Sequence, residues 1–397
     1  MLSLRDPVHG FVRADPLEAA LVNSRPVQRL RFIHQLGFAF LVFPGAEHSR
    51  FSHVLGAMHL AGRVYDALCS RAEGALPGGS RAPERRLARV AALLHDLGHA
   101  PFSHSAEDLF EGGIDHEEMT RRLLGTPEVE EIFARHGDGI STGDVRRILC
   151  GGGTPTERLL AKIVSGELDV DKMDYLLRDS TYCGVRYGTY DLDRLLETML
   201  PLEDPETGEW GIGVEEGGVH ALEALVMARY YMFTQVYFNV TGKAMELHFN
   251  EWLKENGIHW AAEPEAFLSQ DDVSVWAAMR TSDSVHARAV VERRHFPVAF
   301  ETREHLTREQ KEQFEALLPE LRERFGAGNL LLSNSAKDPH RMGGRSRVLV
   351  RRFDGTLEPM EQASQFIRHL ARIDRYRVYT QPSLRDEVAA AFRELWG

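Results

Sequence analysis

The sequence predicts a mainly α-helical fold, a helical core with a smaller C-terminal α+β lobe. Three observations carry this. Apolar residues recur at helical spacing through most of the first two-thirds of the chain. The last third holds short runs rich in β-branched and aromatic residues, bounded by turn residues. One pair of such runs, in RSRVLVRRFDGTLEPM (345–360), flanks an Asp-Gly turn signal for a hairpin. The boundary falls at residue 257, giving 1–257 as the core and 258–397 as the lobe.

Taken in order, residues 17–36 show helical periodicity through Leu21, Val22, Leu30, Ile33 and Leu36. Ser49 is placed to cap a helix running through 53–68. The Gly/Pro/Ser-rich stretch 75–84 reads as a connection. Helices follow at about 85–98, 104–111, 115–125, 127–136, 142–149, 155–166 and 169–179, with two long ones at 220–238 and 241–257. In the lobe, 290–301, 329–336 and 375–382 read as strands. Helices lie between them at about 307–325, 360–372 and 384–395. The basic segment 336–352 reads as a solvated loop entering an edge strand, with an anion contact as its functional alternative.

Composition excludes several classes. With 397 residues and 43% apolar content the chain can bury a sizeable core. A net charge of −12 argues against a protein that coats nucleic acid, so an anionic substrate needs a local basic pocket. Three scattered cysteines, Cys69, Cys150 and Cys183, without CxxC fit a reducing compartment. Neither a secretory signal nor a membrane-length apolar run is visible, so a cytoplasmic protein is expected.

The chemistry concentrates in RFSH (50–53), LLHDLGH (93–99) and ELDVDKMDYLLRD (167–179). His53, His95, Asp96 and Asp171 together supply two imidazoles and two carboxylates, a set that suits one divalent cation such as Mn, Fe, Zn, Ni or Mg. Fused His95-Asp96 sits in an apolar run, where two ionisable groups would be costly without a partner. Arg50 lies one turn from His53 and can clamp a phosphate oxygen. Tyr175 and Arg178 follow Asp171 along one helical surface, with Lys172 and Asp179 on its flank. A second layer holds His104 with Glu107, and His116 with Glu117. A histidine oriented by a carboxylate can protonate a leaving oxygen, while a metal makes water nucleophilic.

These blocks, with DPVHGFV (6–12), PVQRLRFIHQLG (26–37) and VFPGAEHSRFSHVLG (42–56), resemble the HD-domain phosphohydrolases. Within that family they are most similar to the deoxynucleoside triphosphate triphosphohydrolases, the branch of dGTPase-like and SAM-and-HD-domain enzymes. The resemblance is clear over about 4–200 and weaker to 250. It implies an HD-domain helical core and a metal bound by His53, His95, Asp96 and Asp171. It further implies triphosphate contacts from Arg50, Lys172 and Tyr175, nucleoside contacts from Gln35 and Leu36, and a sugar contact at Asp179. His99, His104 and His116 fall in the family's catalytic histidine layer, with Glu107 beside His104 where relatives often carry Asp. Gln28 and Arg31 match a regulatory nucleotide site, although Asn23 replaces an acid there. Asn239 and Gly242 stand where relatives often have His and Arg, with Lys243 as a substitute cation.

The expected activity is hydrolysis of deoxynucleoside triphosphates to deoxynucleoside and triphosphate, through metal-activated water attack on the α-phosphorus. The resemblance also implies a homo-oligomer, a dimer or tetramer, and a nucleotide activator. Two alternatives stay open: an HD phosphohydrolase for a monophosphate or cyclic dinucleotide, and a nucleotide sensor without turnover.

Overall fold

The computed structural model describes residues 2–72, 76, 82–338 and 347–396, and for His104 and Glu107 the backbone alone. Within these, the protein is mainly helical with small sheets, as the sequence predicts. The chain forms two compact units. One comprises Met1–Met232, His259–Val273 and His340–Leu370; the other Phe233–Ile258, Ser274–Pro339 and Ala371–Gly397. Residues 258–397 thus contribute to both.

The first unit opens on an antiparallel hairpin, Leu2–Asp6 with Gly10–Ala14, which the sequence did not reveal. Its turn is built from D-P-V-H-G. The Asp6 carboxylate accepts from the backbone N–H of Val8 and His9, and Gly10 takes a left-handed φ of 76°. Asp15 then closes a capping box with Glu18 on the Pro16–Val22 helix. The rest of the periodic stretch 17–36 divides into the short turns Arg25–Arg29 and Leu30–Phe32, and Gly37–Leu41 follows it.

A 21-residue helix, Arg50–Ser70, carries the centre of this unit. Ser49 is its N-cap residue but makes no side-chain cap bond. The Ala82–Leu94 helix packs along it and ends four residues sooner than periodicity suggests. Gly98 explains the early stop, since a Cβ there would meet the His116 carbonyl at 2.0 Å and the Thr120 nitrogen at 2.5 Å. The chain leaves helical geometry to let the His116–Leu123 helix approach. After it, Phe102 and Ser103 adopt left-handed φ values of 56° and 58°, and Ser103–Leu109 is 3-10 helical rather than α-helical.

The Val170–Cys183 helix starts at Asp169, whose side chain accepts from Lys172 N–H, and stops at Gly184 in the left-handed conformation. A four-stranded sheet completes the unit, in the order Met199–Glu203, Trp210–Glu215, Leu349–Arg351, Leu357–Pro359. The last two strands are the expected hairpin around Asp354-Gly355. The first two were not legible, because Pro201, Gly211 and Gly213 weaken the strand pattern. Gly213 admits its neighbours: a Cβ there would lie 2.5 Å from the Leu349 carbonyl oxygen. Of the basic segment 336–352, residues 339–346 lie outside the described residues.

The second unit is built on an antiparallel sheet with Ile373–Thr380 between Val298–Glu301 and Leu330–Lys337. Helices Arg308–Phe325 and Arg385–Trp396 cover it through Phe300, Phe314, Phe392, Leu321 and Val378. The strand read at 290–301 is shorter than expected, since Val285–Val291 is helical.

Candidate metal centre and its surroundings

Three elements of the first unit converge on one point. His53 lies in the first turn of Arg50–Ser70, His95 and Asp96 directly follow Leu94, and Asp171 lies in the first turn of Val170–Cys183. His53, His95 and Asp171 offer ligand atoms that all fall within 4.8 Å of one another. Asp96 joins them, with its Oδ1 3.3 Å from His95 Nε2 and its Oδ2 3.7 Å from His53 Nε2. The four residues read from sequence as a ligand set therefore do meet.

The tautomers decide what they can hold. His53 Nδ1 is 2.8 Å from an Asp174 oxygen, and His95 Nδ1 is 2.7 Å from the Ala92 carbonyl oxygen. Both partners only accept, so Nδ1 carries a proton in each ring, and a neutral ring leaves its lone pair on Nε2. Both Nε2 atoms are buried without a hydrogen-bond partner. His53 Nε2 instead faces Asp171 Oδ1 at 3.1 Å, and His95 Nε2 faces the same oxygen at 3.6 Å. Nitrogens turned toward carboxylate oxygens in this way call for positive charge between them, either a second proton on the ring or a cation shared by the donors. Ligand atoms about 2.0–2.2 Å from a first-row cation lie up to roughly 4.4 Å apart, so the donors present fit a metal.

Charge balance agrees. Around the centre Asp96 pairs with Arg50, Asp6 and Asp174 pair with Arg178, and Asp171 faces the histidines, so four carboxylates are set against two guanidiniums. Lys172 and Asp169 cancel one another. With neutral imidazoles two negative charges remain, the complement of one divalent ion. The same imbalance acts on protons. Burial works to lower the His53 pKa, but Asp171 and Asp174 outweigh it and push it up to about 10. Asp96 is held well below the usual carboxylate range: burial opposes this, and His95 and Arg50 prevail. Asp171 is the open side, with its side chain 35% exposed while that of His53 is fully buried.

The cationic flank is partly engaged. Arg50 donates through Nη1 to Asp96 Oδ2 at 2.5 Å and through Nε to Ser103 Oγ at 2.9 Å. Ser103 in turn donates to the His34 carbonyl oxygen. The ammonium of Lys172 bonds the Gly166 carbonyl and Asp169, folded back on its own helix start. Tyr175 stands one turn beyond Asp171, half-buried, its phenol pKa raised by burial. Asp179 accepts from His48 Nε2 at 2.8 Å, and the His48 carbonyl accepts from Gln35 N–H. Gln35 and Asp179 thus flank one buried histidine, with Leu36 next in chain. Gln28 and Arg31 bond each other, and the Arg31 guanidinium lies 3.6 Å over the Phe51 ring.

In the histidine layer, His99 Nε2 is 3.2 Å from Asp96 Oδ1, and its ring stacks on His116 at 4.3 Å. Burial and then Arg50 hold the His99 pKa well below its ordinary value, so this imidazole is neutral. The side chains of His104 and Glu107 lie outside the described residues. Asn239, Gly242 and Lys243 belong to the second unit, where Asn239 caps the Val240–Glu255 helix and Lys243 pairs with Glu246.

One expectation needs correction. Arg178 was read as a cation on the Asp171 surface; it is fully buried and grips Asp174 through Nε and Nη2 and Asp6 through Nη1. Seven residues beyond Asp171 is about 10.5 Å along the axis, which carries it down into the core. Sequence reasoning missed Asp174, His9, Asp6, His48 and Asp272. For Asp174 a signal existed: a third acid in the apolar run of KMDYLL is as costly unpartnered as His95-Asp96.

Comparison with known proteins places this geometry. The HD-domain family pattern matches residues 50–179, the span holding all four candidate ligands, and the HD associated region matches residues 190–397. An uncharacterized protein of Bacillus subtilis, YwfO, is 40% identical over 67% of this chain and 59% of its own length. The SAMHD1 homolog of Dictyostelium discoideum, a deoxynucleoside triphosphate triphosphohydrolase, is 34% identical over 61% of this chain and 47% of its own. The chain thus spans only about half to three-fifths of these relatives. A solved phosphohydrolase of Bacteroides thetaiotaomicron superposes with a TM-score of 0.75 at 25% identity, covering 96% of this chain and 99% of that one. All four candidate ligands thus lie inside the matched HD region, and the chain belongs to the HD-domain phosphohydrolase family, with similarity to its deoxynucleoside triphosphate triphosphohydrolase members.

Proposed function

We propose that the protein hydrolyses deoxynucleoside triphosphates to deoxynucleoside and triphosphate, with one divalent ion held by His53, His95, Asp96 and Asp171. The observation that carries the metal-dependent part is the pair of buried Nε2 atoms turned on Asp171 and Asp96, donors that converge where one cation would sit. The substrate class rests on the branch of the family and on the name of the Dictyostelium relative. The bound ion would supply a water acidic enough to lose its proton near neutral pH and Lewis acidity toward a phosphoryl oxygen.

The remaining chemistry falls to the chain. Arg50, held against Asp96 and Ser103, would donate to phosphoryl oxygens and offset charge as it develops. Lys172 would exchange its intrahelical bonds for phosphate oxygens, beside Tyr175. Gln35, Leu36 and Asp179 would meet the nucleoside and its sugar. Water adds at the α-phosphorus, the bond to the 5′-oxygen breaks, and that oxygen needs a proton. That proton would come from the histidine layer, from His116 or from His104 with Glu107 to orient it, while neutral His99, stacked on His116 beside Asp96, would position the layer. We further propose a cytoplasmic homo-oligomer, dimeric or tetrameric, with Gln28 and Arg31 at an activating nucleotide site.

The test is a screen of metal-loaded protein with dNTPs, NTPs and nucleoside monophosphates, with and without candidate activator nucleotides, read by product chromatography. Deoxynucleoside and triphosphate are expected, with lower kcat/KM for GTP than for dGTP. Equal efficiency on matched NTP and dNTP pairs removes the deoxy preference. Turnover of monophosphates alone overturns the triphosphate reading.

A further inference from the structure

We infer that the N-terminal hairpin is a positioning element of the metal centre, in which His9, acting through Asp174, fixes the tautomer and aim of His53. The inference rests on the metal reading above. Asp174 is fully buried and accepts four hydrogen bonds, two on each oxygen. Its Oδ1 takes His9 Nε2 at 2.7 Å and Arg178 Nη2 at 2.9 Å; its Oδ2 takes His53 Nδ1 and Arg178 Nε, both at 2.8 Å. A carboxylate saturated in this way cannot rock, so Oδ2 stays aimed at His53 and the lone pair of that ring stays on Nε2.

His9 is itself held by the turn. Its backbone N–H bonds Asp6, and the other oxygen of Asp6 accepts from Arg178. The hairpin turn, the His53 helix and the Asp171 helix are thus tied by one buried network of Asp6, His9, His53, Asp174 and Arg178. A carboxylate on the distal nitrogen of a metal-bound histidine raises its basicity and fixes its orientation, and losing such a partner typically costs 10–100-fold in metal affinity. Here that partner depends on a side chain 165 residues away in sequence. Displacing the hairpin would weaken the metal centre without touching a ligand.

The test is Mn²⁺ affinity of the full chain by equilibrium dialysis, for wild type, His9→Gln and His9→Phe. Gln keeps a donor near the place of Nε2, whereas Phe fills the space without one. Expected is a loss of about 10–100-fold for His9→Phe and near wild-type affinity for His9→Gln. Equal affinity in His9→Phe and wild type overturns the inference, as does an equal loss in both variants, which marks a packing role. No Mn²⁺ bound by wild type defeats the metal reading instead. If His9→Phe does not fold, His9→Leu takes its place in the same dialysis: a loss of about 10–100-fold supports the inference, and wild-type affinity overturns it.

Discussion

Replacing Gly56 by alanine tests the network behind the metal ligands with one methyl group. Gly56 lies in the middle of the Arg50–Ser70 helix, where alanine should add up to about 1 kcal/mol of helix stability. The structure forbids it. A Cβ there would fall 1.8 Å from Asp174 Oδ1 and 2.4 Å from Arg178 Nη2. Both side chains are fully buried and mutually bonded, so neither has room to retreat. Breaking a buried ion pair costs about 3–5 kcal/mol. Net of the helix gain, Gly56→Ala should destabilise by about 2–4 kcal/mol. Gly143→Ala is the control: its nearest neighbour would stand 3.5 Å away, and stability should hold or rise slightly. Urea unfolding gives both values. A Gly56→Ala protein as stable as wild type would refute the claim that the Asp174–Arg178 pair leaves no space.

Other expectations follow from separate features. Asp96→Ala should remove the metal together with activity, and elemental analysis showing equal metal in variant and wild type would end that assignment. Asp272 bonds the His34 N–H and ring and the Phe102 N–H, fixing the left-handed Phe102-Ser103 step that presents Ser103 to Arg50. Asp272→Ala should lower kcat while metal content stays full; metal loss as large as in Asp96→Ala would contradict this. In the second unit, buried His248 accepts Phe296 N–H on Nε2 and meets His286 Nδ1 at 2.8 Å. Burial, then His286, lowers its pKa from 6.5 to about 3. Its contribution to stability is therefore complete above pH 6.5 and is lost as pH falls toward 3, at up to about 1.4 kcal/mol per pH unit. His248→Gln should flatten the acid limb of urea midpoints measured from pH 7 to 4, and an unchanged limb would exclude the pair as its source. Light scattering should show an oligomer at micromolar concentration, with or without dNTP.

Much of the architecture could be read in advance because periodicity records burial. The helices at 127–136 and 142–149 match residue for residue. Failures have local causes. The helix before His95 stops where Gly98 lets another helix approach, a tertiary fact that propensity cannot encode. The strands at 199–215 are masked by a proline and glycines that the sheet itself requires. The four candidate ligands were legible because ionisable groups in apolar runs need a partner. His9 was not, because DPVHG reads only as a turn, and its partner is fixed by packing across more than a hundred residues.

The sheet of the first unit also sets an order of events during synthesis. Trp210–Glu215 pairs in parallel with Leu349–Arg351, Val214 opposite Val350. A ribosome adding about 5–20 residues per second emits the second strand on the order of ten seconds after the first. Until then the nascent chain displays an unpaired strand edge, the kind of surface that recruits foreign strands. A chain stopped near residue 257 would keep that edge permanently. Premature termination should therefore yield sticky, chaperone-dependent fragments in place of a smaller working enzyme.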